Sequence, residues 1–152
     1  MASPIKFEDT VSYLLAKLST AFRSSLERHL GRIHLHAGQV FVLFELWKSD
    51  GLRQIDLAKS LDLSAPTVNK TVKGLVELGL VSSSRIDDDA RSTRIFLTDR
   101  GRRIRSNIEA QWLEVEEECL SSISEVERLM LIELLSKLRN SYTGRRAAED
   151  DE

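Results

Sequence analysis

The sequence predicts a mainly α-helical chain carrying one small β-hairpin, and three observations lead there. Apolar residues recur every three or four positions along most of the 152 residues. Only two prolines and seven glycines interrupt a composition rich in Leu, Glu, Arg and Ser, which favours helix over a strand-rich sandwich. One pair of short extended runs around a charged turn breaks the helical period.

From Thr10, the residues Val11, Leu14, Leu15, Leu18, Phe22 and Leu26 form an amphipathic stripe, with Gly31 as the expected helix stop. The HLHAG stretch reads as a connection to a second apolar helix over about Gln39 to Ser49, closed by Asp50-Gly51. A short third helix is expected from about Gln54 to Leu61, with Ile55, Leu57, Ala58 and Leu61 inward and Asp62 in the turn that follows. Ser64 suits the N-cap of the next helix, because its hydroxyl can accept a first-turn backbone N–H. Pro66 is tolerated in that turn, where its missing N–H would be unsatisfied anyway. This helix runs to about Leu78.

After Gly79, the runs Leu80 to Ile86 and Arg94 to Leu97 flank the charged turn Asp87 to Thr93 as a hairpin. Thr98 then caps a long helix through Ile104, Ile108, Trp112, Val115 and Cys119. Ser124 with Glu127 is a capping-box pattern that opens a last helix through Leu129, Ile132, Leu135, Leu138 and Tyr142, and the terminal GRRAAEDDE is expected to fray.

Composition excludes several classes. A chain of this length with 41% hydrophobic residues suits one core, or a core with an appended helical arm. The longest apolar stretch, Val40 to Leu46, is interrupted by Glu45 and falls far short of the roughly 20 residues that cross a bilayer. MASPIKFED lacks the apolar core of a secretory signal, so the expected location is cytoplasmic. A lone Cys119, which cannot build a disulfide framework or a multi-cysteine zinc site, agrees with a reducing compartment.

The net charge of −2 hides a division. Residues 53–105 carry 11 basic and 7 acidic side chains, whereas residues 106–152 carry 5 and 12. Positive charge is thus gathered where it can neutralise phosphates, and the segment that follows would be repelled by them.

Two short helices joined by a tight turn, the second one capped by Ser64, make a helix-turn-helix arrangement whose second helix can enter a major groove. Along that helix Val68, Thr71, Val72 and Leu75 share a packing face, which leaves Thr67, Asn69, Lys70 and Lys73 outward. Asn pairs with an adenine edge, Thr contacts a thymine methyl or a phosphate, and Lys reaches guanine or phosphate oxygens. The hairpin turn adds Arg91 and Arg94, long cations of the kind a narrow minor groove attracts, and Asp89 can orient Arg91 by a charge-assisted hydrogen bond. Asp87 and Asp88 must point away from phosphates or pair with arginine.

These residues resemble the MarR family of multiple-antibiotic-resistance-type regulators. The segment DARSTRIFLTDRG, Asp89 to Gly101, fits that family's wing pattern of Asp-x-Arg, three residues, apolar-x-Leu-Thr-x-x-Gly. DLAKSLDLSAPTVNKTVKGLVELGLV, Asp56 to Val81, is similar to its helix-turn-helix. The resemblance spans about residues 10 to 142. It implies a winged helix-turn-helix with N- and C-terminal dimerisation helices: residues 1–50 as dimerisation and scaffold helices, 51–101 as the DNA-binding region, and 102–152 as a long helix, a dimerisation helix and an acidic tail. It further implies a homodimer reading a pseudo-palindromic duplex operator, usually as a repressor, and a small effector, often an aromatic or phenolic acid, that alters the spacing of the two recognition helices. Phe22, His36 and Trp47 could line such a pocket, but no effector residue is assigned. The chain departs from the pattern at Arg53, where a Ser or Thr cap is usual, and at Gly38, where Pro is frequent and a looser helix start is expected.

Other chemistries are weaker. His29, His34 and His36 cluster between the first two helices, and some members of the family sense zinc; a metal-responsive regulator using them is one alternative, although no metal or other cofactor is expected. A helical dimerising adaptor without DNA binding is the other, and it would leave Arg91 unexplained. Cys119 is expected to be a small core thiol rather than an oxidation sensor. No spacing links Ser82 to Ser84 or the histidines to a nucleophile with a base, so no enzymatic activity is expected.

Overall fold

The computed structural model describes residues 5–85 and 93–149, with side chains described as far as Tyr142. A 3₁₀ turn, Phe7–Asp9, precedes helices α1 (Val11–Gly31) and α2 (Ala37–Lys48). Strand β1 (Leu52–Arg53), α3 (Gln54–Ser60), α4 (Ala65–Glu77), β2 (Val81–Arg85) and β3 (Thr93–Leu97) follow. The chain continues as α5 (Asp99–Arg103), α6 (Arg105–Leu120) and α7 (Glu125–Glu149). It divides into two units, Met1–Val115 and Glu116–Glu152.

Burial in the first unit follows the helical stripes. Leu26 and Leu30 of α1, Val40, Leu43 and Leu46 of α2, Leu57 of α3, Val68 and Leu75 of α4, and Ile108 of α6 are all essentially inaccessible. One core therefore takes a side from nearly every helix, and the pattern read from sequence is the one used. Two parts of that pattern stay outside the core: Val11, Leu14, Leu15 and Leu18 of the α1 stripe are exposed, and Ile55, expected inward, is 40% exposed, because a seven-residue helix can turn only one narrow face to the core and Leu57 occupies it.

The sheet holds one strand more than expected. Its order is β1-β3-β2, with Leu52 opposite Ile95 and, across the hairpin, Val81 opposite Leu97 through Arg85 opposite Thr93. Two residues carry no readable alternation, so β1 exists only by virtue of its partner. Asp50 fixes the junction: its Oδ1 accepts from the backbone N–H of Gly51 at 2.9 Å and of Leu97 at 2.8 Å. Gly51 itself sits at φ +71°, and a Cβ there would lie 2.7 Å from the Phe96 ring.

α1 ends at Gly31 as expected, and its closing turn carries the left-handed residue at His34, φ 60°, with the His34 N–H bonded to Gly31 O and the Leu35 N–H to Leu30 O. Other helix ends differ from expectation. The start of α2 is held rather than loose: Glu27 of α1 accepts from the Ala37 N–H at 3.1 Å, and Gln39 Oε1 from the His36 N–H at 3.2 Å. A carboxylate at that end also opposes the helix dipole favourably. The long helix expected after Thr98 is two, α5 and α6, parted at Ile104, where ψ falls to −14° and the turn tightens.

In the second unit, Ser124 and Glu127 form the reciprocal cap. The Ser124 N–H donates to Glu127 Oε2 at 2.8 Å and the Glu127 N–H to Ser124 Oγ at 3.3 Å, which holds the Glu127 carboxyl below its ordinary range. α7 runs on to Glu149, into the segment expected to fray. Cys119 is half-buried rather than a core residue. Burial, then the Glu118 and Glu116 carboxylates, push its thiol up, the reverse of a reactive thiolate.

Candidate nucleic-acid interface

The α3–α4 corner is built by capping at both of its ends. At the end of α3, Asp62 takes φ 54°, the Asp62 N–H bonds to Lys59 O at 3.2 Å, and the Leu63 N–H to Ala58 O at 2.9 Å. Two residues later Ser64 Oγ accepts from the Thr67 N–H at 3.3 Å and lies 2.8 Å from Thr67 Oγ1. Pro66 falls in the first turn, where it costs no hydrogen bond. Loss of this cap in Ser64→Ala is expected to lower stability by about 1 kcal/mol, a fall of roughly 2–4 °C in the thermal midpoint followed by circular dichroism. An unchanged midpoint would show that the turn does not depend on the cap.

α4 ends as α3 does, with Gly79 at φ +70° and the Leu80 N–H bonded to Leu75 O at 3.0 Å, which delivers the chain directly into β2. Between its caps, Val68, Thr71, Val72 and Leu75 are buried, and Thr71 also satisfies its hydroxyl on Thr67 O at 2.9 Å. Ser64, Thr67, Asn69, Lys70 and Lys73 are exposed, so the structure brings these five together on the outer face of one helix. Gly74 lets that helix approach α2 closely: a Cβ at this position would be 3.0 Å from Gln39 Nε2.

Two further side chains, not among the expected contact residues, reach the same face from α3 and β2. Gln54, at the start of α3, donates to Asn69 Oδ1 at 3.4 Å, and Arg85 closes β2. With Lys73, Ser83 and Thr93 they line a cleft of about 420 Å³ between α4 and the hairpin. Arg85 is basic and lies in a predicted strand, a signal that was present; Gln54 had none, since only the fold sets it beside Asn69.

Arg94 lies in β3, within the extended run expected from Arg94 to Leu97, and its Nη1 donates to Gly51 O at 2.8 Å. This bond spends part of the guanidinium on holding β3 to the α2–β1 junction. Asp89 and Arg91, with Asp87 and Asp88, lie outside the described residues. Arg53 makes no side-chain cap on α3 and instead grips Asp56 in a two-pronged ion pair at 2.8 and 3.1 Å, which holds the Asp56 carboxyl below its usual range.

The three histidines take separate duties. His29 is buried, with Nδ1 3.0 Å from Ser25 O and Nε2 3.7 Å from Glu114, a carboxylate that also pairs with Arg32 at 3.2 Å. His34 and His36 are exposed, one as the left-handed residue after α1 and the other directly before α2. Among the described residues no group of three His, Cys, Asp or Glu side chains is placed to hold a metal ion.

A second cleft, of about 390 Å³, has aromatic walls from Phe41, Phe44 and Trp47 and a charged rim that includes Lys48, Arg105 and Glu109. The Arg105 guanidinium lies 5.5 Å from the centre of the Trp47 ring, and its Nε donates to Glu109 at 2.7 Å. Trp112 backs the wall, with ring centres 5.2 Å from Phe44 and 5.5 Å from Phe22. Of the three residues considered for an effector pocket, Trp47 lines this cleft, Phe22 packs on Trp112 behind it, and His36 lines a different one.

Comparison with known proteins follows the same lines. Residues 35–93 match the model of the MarR family. An uncharacterised HTH-type transcriptional regulator of Bacillus subtilis strain 168, YdgJ, is 35% identical over 99 residues, 63% of this chain; the match spans 58% of that relative's length. Among solved structures, a MarR transcriptional regulator from Methanosarcina mazei Go1 superposes with a TM-score of 0.81 at 22% identity, over 88% of this chain and 96% of the other. Bordetella bronchiseptica BpsR, whose DNA binding is regulated by 6-hydroxynicotinic acid, gives 0.78 at 21% identity, over 90% and 98%. At these identities the structures speak for the winged helical fold.

Proposed function

From the premise that residues 35–93 form a MarR family domain, we propose that this chain is a homodimeric, sequence-specific DNA-binding transcription regulator, a repressor released by a small effector. One observation carries the reading: α4, capped at both ends and buried along Val68, Thr71, Val72 and Leu75, turns an unburied row of Thr67, Asn69, Lys70 and Lys73 outward. In this reading Thr67 and Asn69 read base edges, Lys70 serves both a base and a phosphate, and Lys73 neutralises phosphates. Arg91, oriented by Asp89, enters the adjacent minor groove. Arg94 steadies the base of the wing through Gly51.

Dimerisation is supported by apolar side chains left on two helices. Leu14 and Leu18 of α1 are more than half exposed, as are Leu129, Ile132 and Leu134 of α7. A helix face of this kind in water calls for a partner, and a second copy also supplies the second half-site reader. The aromatic cleft suits a flat aromatic effector, and its rim pairs Lys48 with Glu45 and Arg105 with Glu109, so an effector carboxylate would exchange with Glu109 on Arg105; the DNA binding of BpsR is regulated by 6-hydroxynicotinic acid. No helix among the described residues is long and apolar enough to cross a membrane.

The test is selection of duplexes from a random DNA pool at fixed salt, run in parallel for the wild type and Arg91→Ala. The expected outcome is a palindromic motif that is lost or strongly weakened in the variant. No enrichment even at low salt would reject DNA reading in favour of an adaptor.

A further inference from the structure

Two clefts flank α4, and they differ in what bounds them. The one on the hairpin side ends on Arg85. The other, of about 660 Å³, is walled by α4 through Thr67, Lys70 and Glu77, by α1 through Arg23 and by His36 directly before α2, with Lys73 common to both clefts. α4 is thus a ridge with a cationic side chain on either flank. A helix lying in a major groove about 12 Å wide has a phosphate backbone on each side of it. The hairpin accounts for one side only.

Resting on the DNA-binding reading above, we propose that Arg23 of α1 extends the interface beyond the helix-turn-helix and wing, and binds a backbone phosphate of duplex DNA on the flank of α4 opposite the hairpin. Arg23 lies one turn before Glu27, on the same side of α1. Glu27 is committed to the Ala37 N–H at 3.1 Å, which fixes this side of α1 against the start of α2. Glu27 makes no ion pair with Arg23, although four residues separate them. Arg23 is exposed, and no ion pair engages Arg23, Lys70 or Lys73 among the described residues. Glu77 is the single carboxylate in this wall and stands at the far end of α4 from Thr67. Close packing at Gly74 against Gln39 draws α4 and α2 together, and so sets Arg23 and Lys70 in one cleft.

The experiment measures affinity for the most enriched duplex of the selection over a range of salt concentrations. Arg23→Ala is expected to weaken binding about equally on preferred and scrambled duplexes. It should flatten the slope of log affinity against log salt by about 0.9 for each protomer, the value of one phosphate contact. Arg23→Lys should restore the slope, and the thermal midpoint should not move, since the side chain is exposed and unpaired. An unchanged slope in Arg23→Ala, beside a flattened one in Lys73→Ala, would overturn the proposal and leave DNA reading intact. A wild type that binds no duplex at low salt would overturn both. Competition by inorganic phosphate at constant ionic strength would overturn the assignment to a duplex phosphate and make the cleft a site for a free anion.

Discussion

Replacing Gly101 by alanine is expected to remove about 3 kcal/mol or more of stability, the upper range for forcing an atom into a packed interior, and to lower the thermal midpoint by roughly 6–12 °C. A Cβ on Gly101 would overlap the carbonyl oxygen of Leu80 and press on Leu97 Cδ2 at 3.3 Å. The first of these is backbone, so no side-chain rotation relieves it. The same few atoms are already bound together. Thr98 Oγ1 donates to Gly79 O at 2.7 Å and accepts from the Gly101 N–H at 3.0 Å, while Trp47 Nε1 donates to Gly101 O at 3.1 Å. Moving α5 away to admit a methyl group therefore strains three hydrogen bonds as well. Gly31→Ala is the control. No atom lies within 4 Å of a Cβ there, and the helical backbone accepts alanine, so stability should hold or rise by up to about 1 kcal/mol. Equal midpoints for the two variants would refute the packing argument.

The second large effect concerns assembly. The wild type should run at twice the 17.2 kDa chain mass in light scattering. The double variant Leu129→Asp with Ile132→Asp should run as a monomer at concentrations where the wild type is paired. Both residues are more than half exposed and lie three apart, on one face of α7. Two carboxylates placed there should therefore leave the helix content unchanged. By symmetry each substitution enters the interface twice, and burial of two leucine-sized side chains per protomer is worth upwards of about 3 kcal/mol, at least a ~100-fold rise in the dimer dissociation constant. Operator affinity should fall with it, since one wing cannot hold two half-sites. A wild type of single-chain mass, or a variant that stays paired, would remove α7 from the interface.

Much of this fold was legible in the sequence because helical spacing leaves a mark that one chain displays by itself. The stripe from Val11 to Leu26 and the buried quartet Val68, Thr71, Val72 and Leu75 needed no partner to be seen. The outward row of α4 followed as its complement. What escaped reading depends on two distant segments meeting. β1 is two residues whose extended form comes from Ile95 and Arg94; Asp50 looks like a solvated turn residue until Leu97 donates to it. Gln54 beside Asn69, and Arg23 beside Lys70, are likewise products of topology. The break between α5 and α6 was invisible for another reason: Ile104 and Ile108 keep their spacing across it, so the side-chain stripe continues where the helix assignment does not. Gly101 was recognised only as a letter in a pattern, and its cause is the Leu80 carbonyl.

The strand order β1-β3-β2 also sets the limits of what could be transplanted. The reading helix lies inside a loop of chain sealed by Arg94 on Gly51, Leu97 on Asp50 and Trp47 on Gly101, and it leans on α2 at Gly74. An isolated α3–α4 fragment would lack all four supports. The supports of α4 thus reach from α2 to α5, and α2 in turn is held by Glu27 of α1, so a graft of specificity onto another scaffold should exchange single side chains along α4 rather than the helix pair.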